Sequence, residues 1–252
     1  MGQAELCFVA EPLDADYIQP TMRPDSRQSL HFGVNFVFAP LPVLGGARAR
    51  QFQQFLAEEG VEFQQTGTQP EALVFQRTGP APLEVRVAQI PPQLGQLLVI
   101  AAQPNRLLVD FEADAVVVCE VFRRAWPGNF QVVARDCTIR HLYQSQGDHA
   151  FQYLWERRLN QRGEQLAQFK RPVLGGGLRF VMPPLEGDPN SAQVEVKIES
   201  FLVDSSKIFV DVGFAWPRPV EPNAPMDPVG MLHEVDSFAS GEAVEFILGG
   251  QP

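Results

Sequence analysis

The feature of the sequence that most constrains the fold is an alternating pattern that occurs twice. LEVRVAQI, residues 83–90, is matched 111 positions later by VEVKIESF, residues 194–201. Apolar positions match apolar positions, and the acidic residue Glu84 matches Glu195. Such alternation predicts β-strands with one apolar face. The two segments therefore suggest that the chain contains one structural unit written twice.

Three further pairs of segments follow in the same order along the chain. They are QFQQFLAEEG (51–60) with AFQYLWERRL (150–159), RLLVDF (106–111) with KIFVDV (207–212), and VCEVF (118–122) with LHEVD (232–236). The spacing within the pairs is unequal, which loop insertions and an inserted QLLVIAA (96–102) in the first half would explain.

Each half then has the order strand, helix, several antiparallel strands, helix. This order predicts an α+β fold in which two repeated halves form a curved, mainly antiparallel sheet with helices on one face. We expect an irregular N-terminal arm over residues 1–28, a first repeat over 29–127 and a second repeat over 128–252.

Local patterns predict the individual elements of the first half. Alternating apolar residues predict a strand over 30–38, and apolar residues at helical spacing predict a helix near 46–59. RLLVDF is predicted as a strand. Residues 112–126 are predicted as a helix because acids at their start and arginines at their end suit the helix dipole.

In the second half, AQFKRPV (167–173) is predicted as a strand. Asp148 is expected to cap a helix, as is Asp227, which is followed by Pro228 at the first helical position. The first of these helices would bury one face formed by Phe151, Leu154, Trp155 and Leu159.

Composition narrows the class of protein. Hydrophobic residues make up 45% and charged residues 20%, which is typical of a globular domain. No apolar run approaches the roughly 18 residues that a membrane span needs. Cys119 and Cys137 lie in apolar surroundings without metal-ligand spacing, so we expect buried, reduced thiols and a cytoplasmic location.

The charge of this acidic protein is unevenly distributed. The net charge is −10, yet residues 123–182 hold ten basic and four acidic residues, a net of +6. This basic band could dock a partner or could be a solvated face. The proline-rich loop 215–228 is either a docking epitope or a stiff connection. The candidate partner-binding residues are Arg140, Arg157, Arg158, Arg162, Trp216 and Arg218.

The sequence lacks the common catalytic signatures. It has no Walker A loop, no GxGxxG, no GxSxG, no HExxH and no CxxC motif. His233 and Glu234 are adjacent on a predicted helix and point about 100° apart. Asp110 and Asp211 are expected at equivalent strand ends, each facing solvent. We therefore expect no catalytic residues, no metal site and no cofactor.

The C-terminal third carries a resemblance. MLHEVDSFASGEAVEF (231–246) and the pair of alternating strands before it are similar to those of a sporadically distributed family of uncharacterised bacterial proteins of about this length. That resemblance implies a bacterial cytoplasmic protein with no catalytic residues to transfer. The order of elements also resembles the duplicated saddle of the TATA-binding protein, an analogy of topology alone.

Taken together, these features favour a non-enzymatic protein–protein interaction module, acting as an adaptor, a regulator or an assembly subunit. Its partner would be another protein, in a multi-subunit assembly or through association of like chains, with no membrane involved. Two alternatives remain open. One is nucleic-acid binding through the arginines of 123–182. The other is a small-molecule binder or enzyme with a cavity between sheet and helices.

Overall fold

The structure, a computed structural model, describes residues 22–104, 106–145 and 149–249. Within these residues the chain forms nine strands and five α-helices. In chain order they are β1 (Met22–Ala39), α1 (Gly46–Glu58), β2 (Gln65–Gln69), β3 (Ala72–Arg77), β4 (Leu83–Ile90), β5 (Leu94–Ala102), α2 (Leu108–Ala125), β6 (Gln131–Ser145), α3 (Ala150–Gln152), β7 (Gly177–Met182), β8 (Gln193–Ser200), β9 (Lys207–Trp216), α4 (Pro228–Ser240) and α5 (Glu242–Leu248).

All nine strands belong to one antiparallel sheet in the order β2-β3-β4-β5-β1-β6-β9-β8-β7. The two long strands β1 and β6 are neighbours at its centre. On either side the chain returns through hairpins toward the centre, which antiparallel pairing permits with short turns. The two matched segments that open the sequence argument lie in β4 and β8, each two strands outside the central pair.

Four helices cover the same side of the sheet. Aromatic rings on α1, α2, α4 and α5 each contact a ring on a strand. The centroid distances are Phe52–Phe75 5.2 Å, Phe111–Phe32 5.6 Å, Phe122–Phe38 5.0 Å, Phe238–Phe214 5.6 Å and Phe246–Phe180 5.2 Å. By strand register these strand residues all point to one face, so the core lies between that face and the helices.

The alternation in β1 shows why the sequence folds this way. Phe32, Val34, Phe36 and Phe38 are each at most 1% exposed, because residues two apart on a strand share a face. The predicted strand is confirmed, but it begins at Met22. Residues 22–28, expected to belong to an irregular arm, are therefore part of β1. The rest of that arm, residues 1–21, lies outside the described residues.

The predicted helices near 46–59 and over 112–126 are confirmed as α1 and α2. The cap of α4 is confirmed as well, since Oδ1 of Asp227 accepts a hydrogen bond from the backbone N–H of Gly230 at 2.9 Å, and Pro228 opens the helix. This arrangement satisfies one of the otherwise unpaired N–H groups of the first helical turn.

The prediction of RLLVDF as a strand is wrong. Its last four residues form the first turn of α2, where the carboxylate of Asp110 accepts from the backbone N–H of Leu107 at 3.3 Å. Asp110 therefore caps a helix, whereas Asp211 lies inside β9, and the two do not occupy equivalent strand ends. The segment match of RLLVDF with KIFVDV fails for the same reason. By position in the sheet, the counterpart of β9 is β5. This strand contains QLLVIAA (96–102), the segment predicted to be an insertion.

The region after β6 also differs from prediction. The short α3 continues into a π-helical segment, Tyr153–Arg158, and residues Gly163–Phe169 form a 3₁₀-helix in place of the predicted strand AQFKRPV. Phe151 and Leu154 are buried as expected, whereas the proposed cap Asp148 lies outside the described residues.

Candidate functional site: the open face of the sheet

The sheet face turned away from the helices, called here the open face, has no described helix packed against it. Strand register places its side chains in rows that cross the sheet. One row consists of Ala102, His31, Arg140, Asp211, Lys197 and Arg179. A second row, separated from the first by the row through Gly33, consists of Val74, Arg86, Leu98, Asn35, Asp136, Ala215 and Gln193. The open face is thus polar toward β7 and more apolar toward β3.

Five charged side chains of alternating sign form what we call the charge ladder. Nε of Arg140 lies 3.2 Å from Asp211, Nζ of Lys197 lies 3.5 Å from Asp211, and the same Nζ lies 3.0 Å from Glu195. A guanidinium nitrogen of Arg179 lies 2.9 Å from Glu195. Asp211 is only 8% exposed, so its two cationic neighbours stabilise a carboxylate that is largely removed from water.

Hydrogen bonds and charges within the ladder shift the pKa values of Glu195 and Lys197. Hydrogen bonds from Arg179 and then Lys197 lower the pKa of the Glu195 carboxyl. The hydrogen bond to Glu195 in turn raises the pKa of Lys197, with Asp211 adding to the effect. All three groups therefore keep their charges across the neutral range, and the ladder presents paired charges of both signs.

His31 and Gly33 meet at the centre of the open face. A Cβ atom added to Gly33 would lie 2.8 Å from Nε2 of His31, so the imidazole ring occupies the space that glycine leaves. Burial, followed by the positive charge of Arg140, lowers the pKa of His31 from 6.5 to about 4, against the opposing influence of Asp211. His31 is therefore an uncharged member of its row at neutral pH.

Asn35 and Asp136 form a second polar contact in the middle of the sheet. Nδ2 of Asn35 donates to Oδ2 of Asp136 at 2.6 Å. Burial raises the pKa of Asp136, while this hydrogen bond lowers it in part. Among the described residues, Oδ1 of Asn35 has no hydrogen-bond partner.

These polar groups border a shallow hollow of about 270 Å³. Its lining includes Asp136, Thr138, Arg140, Lys197, Asp211 and Gly213. The hollow is open to solvent along the sheet, and its volume lies below the range for ligand pockets, which is roughly 300–1,000 Å³.

The other part of the open face carries what we call the aliphatic patch. Val37, Val74, Leu98 and Ile100 are half-buried on the open face of β1, β3 and β5. Ala88 of β4 lies on the same face and is 7% exposed. Branched aliphatic side chains that remain partly exposed on a sheet, next to charged groups, are typical of surfaces that contact another molecule.

The predicted partner-binding residues do not converge on one surface. Arg140 belongs to the charge ladder. Nε of Arg158 donates to the carbonyl of Phe246 at 2.6 Å, and its guanidinium lies 4.2 Å from the centroid of the Phe246 ring, so it fastens α5 to the fold. Trp216 is 4% exposed and lies beneath Arg135, with 5.3 Å from guanidinium to ring centroid.

The remaining three candidates lie apart from these. Arg162 and Arg218 are exposed, Arg162 after the π-helical segment and Arg218 in the proline-rich loop. The side chain of Arg157 lies outside the described part of the chain.

Other members of the basic band have structural partners. Arg123 donates to the carbonyls of Asn223 and Ala224 at 2.9 Å each, which holds the proline-rich loop against α2. Arg124 pairs with Glu58 and Glu59 of α1. The band is contiguous in sequence, but the described members are distributed over several sides of the molecule.

A cluster of Arg27, Ser29, Asp236 and the buried His141, called here the histidine cluster, was not predicted from the sequence. Nε2 of His141 lies 3.2 Å from Oδ1 of Asp236, and Nδ1 lies 3.3 Å from the Ser29 hydroxyl. A carboxylate only accepts hydrogen bonds, so Nε2 of His141 donates to Asp236. Burial would raise the pKa of Asp236, but the hydrogen bond from His141 and the charge of Arg27 together lower it.

The contacts from Ser29 to His141 and from His141 to Asp236 resemble those of a hydrolytic triad. The His141 ring, however, lacks the access to solvent and substrate that such chemistry requires. His141 is 1% exposed, and both of its ring nitrogens are engaged. Arg27 binds the same carboxylate through contacts of 3.1 and 3.2 Å. The cluster therefore fastens the start of β1 to β6 and α4. Its members are 112 and 95 positions apart in sequence, so no local motif could reveal it.

Two structural absences apply to the described residues. Among them, no group of three or more His, Cys, Asp or Glu side chains is arranged to hold a metal ion. In the same ranges, no helix has the length and apolar character to cross a membrane.

In comparisons with known proteins, no family model matches the chain and no curated protein shows significant similarity to it.

Proposed function

We propose that this chain is a non-enzymatic protein-binding module, an adaptor, regulator or assembly subunit of a bacterial cytoplasm, and that it docks its partner on the open face. The observation that carries the proposal is the asymmetry of the sheet. One face is covered by α1, α2, α4 and α5, while the other carries half-buried aliphatic side chains on β1, β3 and β5.

The composition of the open face supports a protein as the occupant. Leu98 and Ile100 lie next to the central strand β1, and the charge ladder lies on the side of β7. Protein interfaces commonly combine an apolar centre, which supplies binding energy, with a polar rim, which supplies specificity. We expect a partner surface that is apolar opposite the aliphatic patch and carries charges of both signs opposite the ladder.

The same charges argue against a polyanionic partner. Each cation of the ladder already faces a carboxylate, and phosphate groups would have to compete with Glu195 and Asp211. The chain as a whole carries −10, which repels nucleic acid at long range.

A duplicated origin of the two halves belongs to this proposal. The positions of β5 and β9, of β4 and β8, and of α2 and α4 relative to the central pair support it. Superposition of β1, β5, β4 and α2 on β6, β9, β8 and α4 tests it, and a rotation that fails to align all four elements refutes it.

Site-specific photo-crosslinking tests the docking face. A photoreactive phenylalanine analogue replaces Leu98 in the aliphatic patch or, as the matched control, Val109, which is 59% exposed on the helical side. We expect a defined adduct from Leu98 and none from Val109 when the protein is expressed in its native cell. Equal labelling at both positions contradicts the proposal.

The partner identified in this way is then purified and its affinity measured by calorimetry. Replacing a buried aliphatic anchor with alanine costs about 2 kcal/mol, so Leu98→Ala should weaken Kd about 30-fold while Val109→Ala leaves it unchanged. A low-salt mobility shift with single- and double-stranded oligonucleotides, or a thermal shift with a metabolite, would support the two alternatives instead.

A further inference from the structure

The two edges of the sheet differ in chemistry. β2, at one edge, is composed of Gln, Thr and Gly and is exposed throughout. β7, at the other edge, carries Phe180 at 38% and Val181 at 54% exposure. Natural proteins usually protect sheet edges with polar or charged residues, because unpaired strand groups recruit further strands. β2 follows that rule and β7 departs from it.

The surroundings of β7 are apolar as well. Seven of the ten exposed large hydrophobic residues in the described chain lie between residues 169 and 203. They are Phe169, Leu174, Phe180, Val181, Leu185, Leu202 and Val203. The exposed hydrophobic residues of the described chain are therefore concentrated in the stretch of sequence that contains β7.

The backbone of β7 has groups free to pair. The carbonyl of Gly176 accepts from the N–H of Ser200 at 2.9 Å, so Gly176 directs its backbone toward β8. Direction alternates along an antiparallel strand, so Leu178 and Phe180 also face β8, while Arg179 and Val181 direct their N–H and C=O groups outward. No other described strand pairs with β7 on that side.

We propose that a second copy of this chain docks here, β7 against β7 in antiparallel orientation, with a two-fold axis at Phe180. A two-fold axis perpendicular to the sheet keeps both open faces on the same side. Phe180 then lies opposite the partner's Phe180, Leu178 lies opposite the partner's Met182, and Arg179 lies opposite the partner's Val181.

Side-chain and backbone chemistry select this register. On the helical side every cross-strand pair is apolar, since Leu178, Phe180 and Met182 are the residues that alternate there. On the open face, centring at Arg179 would set two guanidinium groups directly opposite each other, which is destabilising. Centring at Val181 would set Arg179 opposite the partner's Pro183, so the missing N–H would fall inside the ladder. Centring at Phe180 places the same proline opposite Gly177, at the end of the strand.

The dimer so formed is a continuous sheet of eighteen strands, twice the nine of one chain. Arg179 and Val181 of each copy exchange backbone hydrogen bonds across the axis, and the half-exposed ring of Phe180 becomes buried. This is strand addition with an identical strand as the ligand.

Oligomeric state and a cysteine scan test the proposal. In sedimentation or light scattering, we expect the wild-type mass to rise with concentration toward twice 28.0 kDa. Val181→Pro removes one outward N–H without touching the β7–β8 ladder, so it should remain a folded monomer at the same concentrations. A wild-type mass of 28.0 kDa throughout overturns the proposal.

The register is tested in a Cys7→Ser background, where the described thiols are the buried Cys119 and Cys137. Phe180→Cys should give a disulfide-linked dimer on mild oxidation, because residues opposite each other lie about 4.5–5.5 Å apart, within disulfide range. Arg179→Cys and, on the other edge, Gly67→Cys should not. Crosslinking at either control position and not at Phe180 refutes the inference.

Dimer formation through β7 and partner binding on the open face can be tested independently. Leu98→Lys should leave the dimer intact while abolishing partner binding, and Val181→Pro should do the reverse.

Discussion

His31 gives the protein a specific dependence of stability on pH. Its pKa falls from 6.5 in the unfolded chain to about 4 in the folded protein, because the ring is buried over Gly33 beside Arg140. Between these two pKa values the unfolded chain binds more protons than the folded protein. The stabilisation is therefore complete above pH 6.5 and is lost as the pH falls toward 4.

The magnitude of this loss of stability follows from the linkage between proton binding and folding. A shift of one pKa unit corresponds to about 1.4 kcal/mol, so a shift from 6.5 to about 4 sets an upper limit of roughly 3 kcal/mol. Between pH 7 and pH 5 these pKa values make the His31 contribution fall by about 2 kcal/mol. Carboxyl groups that titrate in the same interval contribute to both the wild type and the variant, so only the difference between the two proteins is interpreted.

Urea unfolding at pH 7 and pH 5, followed by far-UV circular dichroism at one protein concentration, measures this contribution. We expect the wild type to lose about 2 kcal/mol more than His31→Gln, which has no titrating group. In Gly33→Ala the new Cβ displaces the ring into solvent, so the loss on acidification should be smaller than in the wild type. If wild type and His31→Gln lose the same free energy, the ring is not desolvated and the reasoning is wrong.

Three further outcomes are expected. Asp227→Ala removes the α4 cap on Gly230 and should lower the free energy of unfolding by about 1 kcal/mol in urea titrations; no change would contradict the cap. Phe122→Ala empties a site that is 0% exposed and should cost about 3–5 kcal/mol by the same assay; a cost below 1 kcal/mol would contradict its burial. Burial raises the pKa of Cys119 and Cys137, so in a Cys7→Ser background a chromogenic disulfide reagent should modify them only after denaturation, and rapid modification of the native Cys7→Ser protein would contradict this.

The elements predicted correctly from the sequence are those with long, unambiguous periods. The aromatic alternation of β1 and the capped apolar face of α4 required no tertiary information. The strand prediction for RLLVDF is wrong because its last four residues, which are apolar or acidic, fit a strand and a helical turn equally well. In the helix, the guanidinium of Arg106 binds the carboxylate of Asp114, eight positions further along the chain.

The candidate site was harder to predict because it depends on which strands are neighbours. The alternation of residues along a strand predicts on which face of its own strand Arg140 or Asp211 lies, but not which strand is its neighbour. Their contact requires β6 to pair with β9 across the intervening helical segments and hairpin. The contiguous basic band pointed to Arg158, and the proline-rich loop pointed to Trp216. The carbonyl and the ring of Phe246 hold Arg158, and Trp216 is only 4% exposed.

The pairing of β1 with β6 at the centre of the sheet has a consequence for how the protein is made. At roughly 5–20 residues per second, about 5–20 seconds separate the emergence of Ala39 and Gln131 from a ribosome. During that interval the nascent N-terminal half presents the bare inner edge of β1, next to Phe32, Val34 and Phe36. The exposed edge of β1 can pair with other strands until the second half of the chain arrives and β6 covers it.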